Sequence, residues 1–126
     1  LLRSIYDGFG IDAQRIEHIV THGTGTKLGD PVEVNALCDA FKARTEHRKF
    51  CALTSVKATL RHTLRASGVV SLIALVQSVR HGIIPRSINC EQENSYMEWD
   101  DTPFFVNKTA REWPEPDGRP RLGDKP

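Results

Sequence analysis

Two β-branched runs, each followed by a polar turn and then by an apolar stretch of helical period, constrain this chain more than any other feature. The first run is Ile16, His18, Ile19 and Val20, and the turn THGTGT at 21–26 leads from it to Asp30 and Pro31. The second run is Cys51–Val56, and a polar turn at 57–65 leads to an apolar stretch at about Ala66–Arg80. Strand–turn–helix units joined in one sheet need crossovers, and crossovers give parallel pairing. The expected class is α/β with a mostly parallel sheet, in the order α-β-α-β-α-β-β. Ligands in such sheets gather at the carboxyl ends of the strands, so both polar turns are expected along one edge.

The flanking pattern fills in the remaining elements. Leu1, Leu2, Ile5 and Phe9 recur at helical spacing and Gly8 and Gly10 mark a stop, which predicts a helix over 1–9. AQRI predicts a single turn. Asp30 reads as an N-cap with Pro31 at the first helical position, and Glu33 completes a capping box. The helix that follows presents Val34, Leu37, Cys38 and Phe41 on one face to about Ala43. In the stretch 66–80, Val69, Val70, Leu72, Ile73, Leu75, Val76 and Val79 cover most of the circumference, which predicts burial on more than one side. Ile83-Ile84-Pro85 starts an extended segment, and Phe104 to about Trp113 reads as a last strand. The final dozen residues, EPDGRPRLGDKP, carry no apolar pattern and read as a tail or an interrupted element.

Composition narrows the function. A chain of 126 residues holds one domain at most. Seventeen basic and 16 acidic residues leave a formal charge of +1, which gives no nucleic-acid or membrane footprint. The apolar run 67–79 is too short to span a bilayer, and no secretion signal opens the chain. Cys38, Cys51 and Cys90 are odd in number and widely spaced, which fits reduced, cytoplasmic thiols better than disulfides or a metal site.

His22 and His62 are the residues that could do chemistry. His22 precedes Gly23-Thr24-Gly25-Thr26, where glycines allow close backbone approach and threonine hydroxyls can meet a polar ligand. Taken alone, each histidine reads first as a packed or solvated residue of a βα turn. Equivalent positions after adjacent strands are harder to dismiss, and a Lys57 ammonium beside Asp30 or Glu33 would bridge the two turns as a buried ion pair. Ser-His-Asp, paired-carboxylate and metal-ligand spacings do not occur in the sequence. Glu98, Asp100 and Asp101 read as a solvated face, and His18, His47 and His81 as structural or exposed.

THGTGTKLGDPVEVNAL, SVKATLRHTLRASGVVSLIALVQSVRHGIIPRSIN and DTPFFVNKTAREWP, in this order, resemble the C-terminal half of a β-ketoacyl synthase domain, most of all the ketosynthase of polyketide synthases. The likeness covers about residues 1–121, leaving 122–126 as a tail. It implies a thiolase-like fold of which this chain is the C-terminal half only, incomplete at both ends. It implies decarboxylative condensation of an acyl thioester with a malonyl-type extender, in polyketide or fatty-acid elongation. No cofactor is bound directly; the substrates ride on the phosphopantetheine arm of an acyl carrier protein. Other implied partners are the N-terminal half, which would carry the nucleophilic cysteine, and a second copy of the complete domain in a homodimer. By the same resemblance, His22 and His62 match the two catalytic histidines, which polarise the thioester carbonyl and stabilise the enolate. Thr24 and Thr26 match threonines that contact the pantetheine arm. Lys57 matches the motif lysine, and Asp30 and Glu33 match acids that pair with it or hold the loop.

Two departures favour a second reading, a non-catalytic ketosynthase relic or docking module. Arg61 stands where the family has glycine, and Leu64 and Arg65 are also unusual. A turn that demands positive φ at position 61 would be strained by arginine. After Arg121 the family's glycine-rich strand is replaced by LGDKP, so that strand is expected to be missing.

Overall fold

A computed structural model describes residues 1–126, apart from the side chain of Pro116. Helix α1 (Leu2–Gly8) and a 3-10 turn (Ala13–Arg15) lead into β1 (Ile16–Val20). Helix α2 (Gly29–Lys42), β2 (Cys51–Thr54), a one-turn α3 (Lys57–Leu60) and α4 (Ser67–His81) follow. The chain continues through β3 (Ile83–Ile84), β4 (Phe104–Val106), β5 (Arg111–Glu112) and β6 (Leu122–Asp124). Four strands form one all-parallel sheet in the order β4-β2-β1-β6, and β3 pairs antiparallel with β5 beside it. The α/β class and the parallel core expected from the sequence are both present.

Each sheet face buries a different set of side chains. Along β2, Cys51 and Leu53 meet the core under α1 and α2, whereas Ala52 points to the other side with Ile84 and Trp113. This is the period of two that a strand imposes. On the α2 side, Val34, Leu37, Cys38 and Phe41 are buried at i, i+3, i+4 and i+7. Phe41 meets Phe104 edge-on at 4.9 Å. On the α4 side, His18 is fully buried, its Nε2 lies 2.8 Å from the Thr54 hydroxyl, and its ring stands edge-on to Trp113. Burial pulls the His18 imidazole down to about 4. Gly82, at φ 64° and ψ 37°, ends α4 in the left-handed conformation that glycine tolerates best.

Four expectations are corrected. First, 104–113 is two strands in two sheets. Asn107 makes the break: its Nδ2 donates to Pro85 O at 2.7 Å and its carbonyl accepts from Ser87, which ties the chain to the segment after β3. Second, 122–126 is more than a tail, because Leu122–Asp124 pairs parallel with β1. Tyr6 anchors it by donating to Asp124 at 2.6 Å, an acceptor that patterning in a Pro- and Gly-rich segment could not reveal. Third, the turn 57–65 contains α3 and a 3-10 turn at Leu64–Ala66. Fourth, α4 buries only the stripe Ser71, Leu75 and Ser78 on the sheet, while Val69, Leu72, Ile73 and Val76 are each more than half exposed. The sheet covers one face of α4, and among the described residues no other element covers the opposite one. The acidic cluster also differs in part from a purely solvated face: Lys49 pairs with Asp100 and Arg48 with Asp101 across exposed loops. No helix among the described residues is long and apolar enough to cross a membrane.

Two measurements check this packing. Leu75→Ala is expected to cost about 2–4 kcal/mol in urea unfolding, because it empties a buried site, whereas Leu72→Gln shifts stability by no more than about 0.5 kcal/mol. The buried His18 binds its proton later than the unfolded chain does as pH falls. Its contribution is therefore fully present above about pH 6.5 and is lost on the way down to about 4, by up to about 3 kcal/mol. His18→Phe should flatten that part of the stability profile.

Candidate functional site

Strands β1 and β2 pair in parallel with Val20 opposite Thr54, so the chain leaves both at the same edge of the sheet. Thr21 extends the contact by one more step, its N–H donating to Thr54 O at 2.8 Å. Beyond it the two turns diverge just enough to bring His22 and His62 together. Their rings are 5.4 Å apart between centroids and nearly perpendicular, and both are exposed. His62 Nδ1 accepts from the Leu64 N–H at 3.0 Å, which leaves the proton of the neutral ring on Nε2. His62 thus offers an N–H donor on the side away from its own loop.

Side chains hold the His22 backbone on both sides. Glu33 accepts from the His22 and Gly23 N–H groups at 2.5 and 2.9 Å, and Lys57 Nζ donates to His22 O. Asp30 accepts from the Gly25 N–H at 3.1 Å, and Ser55 Oγ donates to Gly23 O at 3.0 Å. Gly23 is required here: it sits at φ 43°, and a Cβ would come within 2.8 Å of the Ser55 side chain. Thr24 and Thr26 are exposed at the mouth of the turn with their hydroxyls 3.3 Å apart. Leu2, His22, Thr24, Val32, Glu33 and Pro126 help line an open concavity of about 440 Å³.

The acids hold the loop, the second of the two roles the resemblance implied, and do not cap the helix. Residue Leu28 stands at the N-cap of α2 without a side-chain cap, and Asp30 lies inside the first turn. Near that end the Thr26 hydroxyl accepts from the Gly29 N–H, and Asn94 Nδ2 donates to Lys27 O at 3.2 Å. Asp30 and Glu33 reach back to the turn because its amides have lost their strand partners past Thr21. The ion pair between Lys57 and Asp30 or Glu33 does not form among the described residues; Lys57 spends its donor on a carbonyl. Burial, helped by the Lys125 ammonium and opposed by Glu33, pulls the Lys57 amine below the usual lysine range. Cys38 and Cys51 are buried and their thiols are pushed up by burial.

Sequence reasoning missed Ser55 and the C-terminal pair Lys125-Pro126. Ser55 carried one signal, its place directly after a strand end. Lys125 and Pro126 carried none. The strain at position 61 is present: Arg61 has φ 59° and ψ −173°, a region nearly reserved for glycine, and Leu64 follows at φ 49°.

The arrangement of a parallel sheet between α1/α2 and α4 is that of the C-terminal half of thiolase-like proteins. Residues 1–91 match the family described as "Beta-ketoacyl synthase, C-terminal domain". Polyketide synthase ThaG of Burkholderia thailandensis is 49% identical over 123 residues, and polyketide synthase PksM of Bacillus subtilis is 37% identical over 123; each match spans 98% of this chain. The ketosynthase from module 6 of the bacillaene synthase of Bacillus subtilis 168 superposes with a TM-score of 0.93 at 36% identity over 96% of the chain. The module 1 ketosynthase of the same pathway from Bacillus amyloliquefaciens FZB42 gives 0.86 at 37% identity over 89%. This chain belongs to the β-ketoacyl synthase family, in its C-terminal domain. It spans 2% and 3% of the two polyketide synthases and 22% and 20% of the two ketosynthase structures.

Replacing Arg61 by glycine relieves the disfavoured backbone, and Arg61→Gly is expected to raise the urea midpoint by the equivalent of about 1 kcal/mol. An unchanged or lower midpoint would mean that the side chain contributes more than the strain costs.

Proposed function

We propose that this chain supplies the two-histidine part of a ketosynthase site, for decarboxylative Claisen condensation on carrier-bound thioesters. The observation that carries it is the 5.4 Å approach of His22 and His62 at one sheet edge. Two N–H donors at that spacing can converge on one thioester oxygen. As the malonyl carboxylate leaves as CO2, its bonding pair passes to the α-carbon, and the enolate oxygen that results is where the imidazoles donate. The carbanion then attacks an acyl thioester on a cysteine of the N-terminal half, releasing that thiolate. The printed names of the relatives, polyketide synthases and ketosynthases, support the class of reaction.

In this reading Thr24 and Thr26, at the mouth of the turn, meet the pantetheine arm of an acyl carrier protein. Lys57 and Glu33 fix the His22 peptide, and Asp30 holds the Gly25 amide. The exposed stripe of α4 takes the N-terminal half, the complete domain pairs with a second copy, and the protein works in the cytoplasm. The domain takes in residues 1–124, because β6 belongs to its sheet. In this reading the acyl-accepting cysteine belongs to the N-terminal half, and Cys38 and Cys51 are buried in the core.

The strained backbone at Arg61 and Leu64 favours the relic reading, because each sits within two residues of His62. Malonyl-pantetheine decarboxylation by the chain together with its cysteine-bearing half separates the two. CO2 release that falls about 100-fold or more in both His22→Ala and His62→Ala is the expected result. No release, or release indifferent to either histidine, would leave the relic.

A further inference from the structure

Helix α2 begins with a missing donor. The Asp30 N–H bonds to Thr26 O and the Val32 N–H to Leu28 O, both at 3.4 Å. In that series the partner of Lys27 O would be residue 31, and Pro31 has no N–H to give. The side-chain amide of Asn94 fills the gap. Its Nδ2 donates to Lys27 O at 3.2 Å and lies 3.5 Å from Thr26 O.

Asn94 is itself held from the core. Its backbone carbonyl accepts from Trp99 Nε1 at 3.1 Å and from the Met97 N–H at 3.2 Å. Its Oδ1 accepts from the Tyr96 N–H at 3.0 Å. Met97 is buried, and Trp99 packs against the cluster that holds Val34 and Leu37. One residue earlier, Glu93 pairs with Lys108 at 3.1 Å, which ties the same segment to the chain after β4.

Packing does little to hold the turn that Asn94 meets. Residues 24–29 are all exposed, and a cavity of about 180 Å³ lies behind the turn, with Gly23, Gly25, Asp30 and Asn94 in its lining. Hydrogen bonds therefore decide where the turn sits. Glu33 and Asp30 hold its amides from α2, and Asn94 holds the carbonyl at its far end from outside that helix.

We propose that Asn94 is a positioning residue of the condensation site, standing in for the donor that Pro31 lacks and so fixing the turn that carries His22, Thr24 and Thr26. The proposal rests on the two-histidine reading. Asn94 acts through the turn and needs no contact with the substrate.

Asn94→Asp keeps the shape of the side chain and its acceptor for Tyr96, and removes only the donor. NMR on the 126-residue chain reads the consequence. In the parent, the rings of His22 and His62, 5.4 Å apart between centroids, are expected to give a ring-to-ring nuclear Overhauser cross-peak. Asn94→Asp is expected to weaken that cross-peak. It should also speed hydrogen exchange of the Gly23 and Gly25 amides by about two- to tenfold, the range that one lost hydrogen bond allows, while core amides such as Ile19 keep the parental rate. Pro31→Ala supplies the absent N–H, so Asn94→Asp combined with Pro31→Ala should recover the parental cross-peak and rates. Parental behaviour in Asn94→Asp alone overturns the proposal and leaves the paired histidines standing. Core amides that speed up in step with the turn, or a double variant that fails to recover, would assign Asn94 to general stability and overturn it as well. A parent chain without the cross-peak removes the two-histidine reading and takes the proposal with it.

Discussion

The parallel pairing of β1 with β2 is the constraint on which the rest of the site depends. It fixes Val20 against Thr54, and the Thr21–Thr54 bonds carry the pairing one residue past the strand ends. Two chain segments whose paired strand ends, Val20 and Thr54, are 34 residues apart therefore leave the sheet side by side and in the same direction. The imidazoles meet as a consequence of register: a slip of one residue would turn His18 out of its buried place and send both turns to different heights. The stability of that register comes from below the site. Cys51, Leu53, Ile16 and Ile19 bury one face against α1 and α2, and His18 with Ala52 buries the other.

Past the strand ends, backbone polar groups no longer have strand partners, and the site is the solution to that problem. Glu33, Asp30, Lys57 and Ser55 replace the missing ladder with side-chain bonds to the amides and carbonyls of 22–25. The His22 peptide is thereby held at both its donor and its acceptor while its ring stays free and exposed. The His62 turn is held less well. Its ring accepts from Leu64, but the bends at Arg61 and Leu64 are made by residues with side chains where the geometry suits glycine. One turn is braced and the other is strained, and the two imidazoles inherit that difference.

The apolar stripe of α4 is the largest departure from a self-sufficient surface. Val69, Leu72, Ile73 and Val76 lie on the side of the helix turned away from the sheet, and each is more than half exposed. The matched ketosynthases are some four to five times longer than this chain, since it covers 22% and 20% of them. A helix apolar nearly all round belongs between two layers, and the chain as described provides one of them.

The sequence by itself determined the α/β class, the strands β1 and β2, the helices that follow them, and the identity of His22 and His62 as partners. Those features rest on local periodicity and on turn chemistry, which a single strand–turn–helix unit displays in full. The resemblance foretold the positive φ at Arg61, because the family has glycine where this chain has arginine. What only the tertiary structure decided are the interactions between segments distant in the chain. Asp30 and Glu33 look like helix caps until the orphaned amides of the turn are seen in front of them. Lys57 looks like an ion-pair partner until the His22 carbonyl is found nearer. LGDKP looks like a tail until Tyr6 and an open edge of β1 give it a place. In each case the residue had two acceptable partners, and packing, which no local pattern encodes, chose between them.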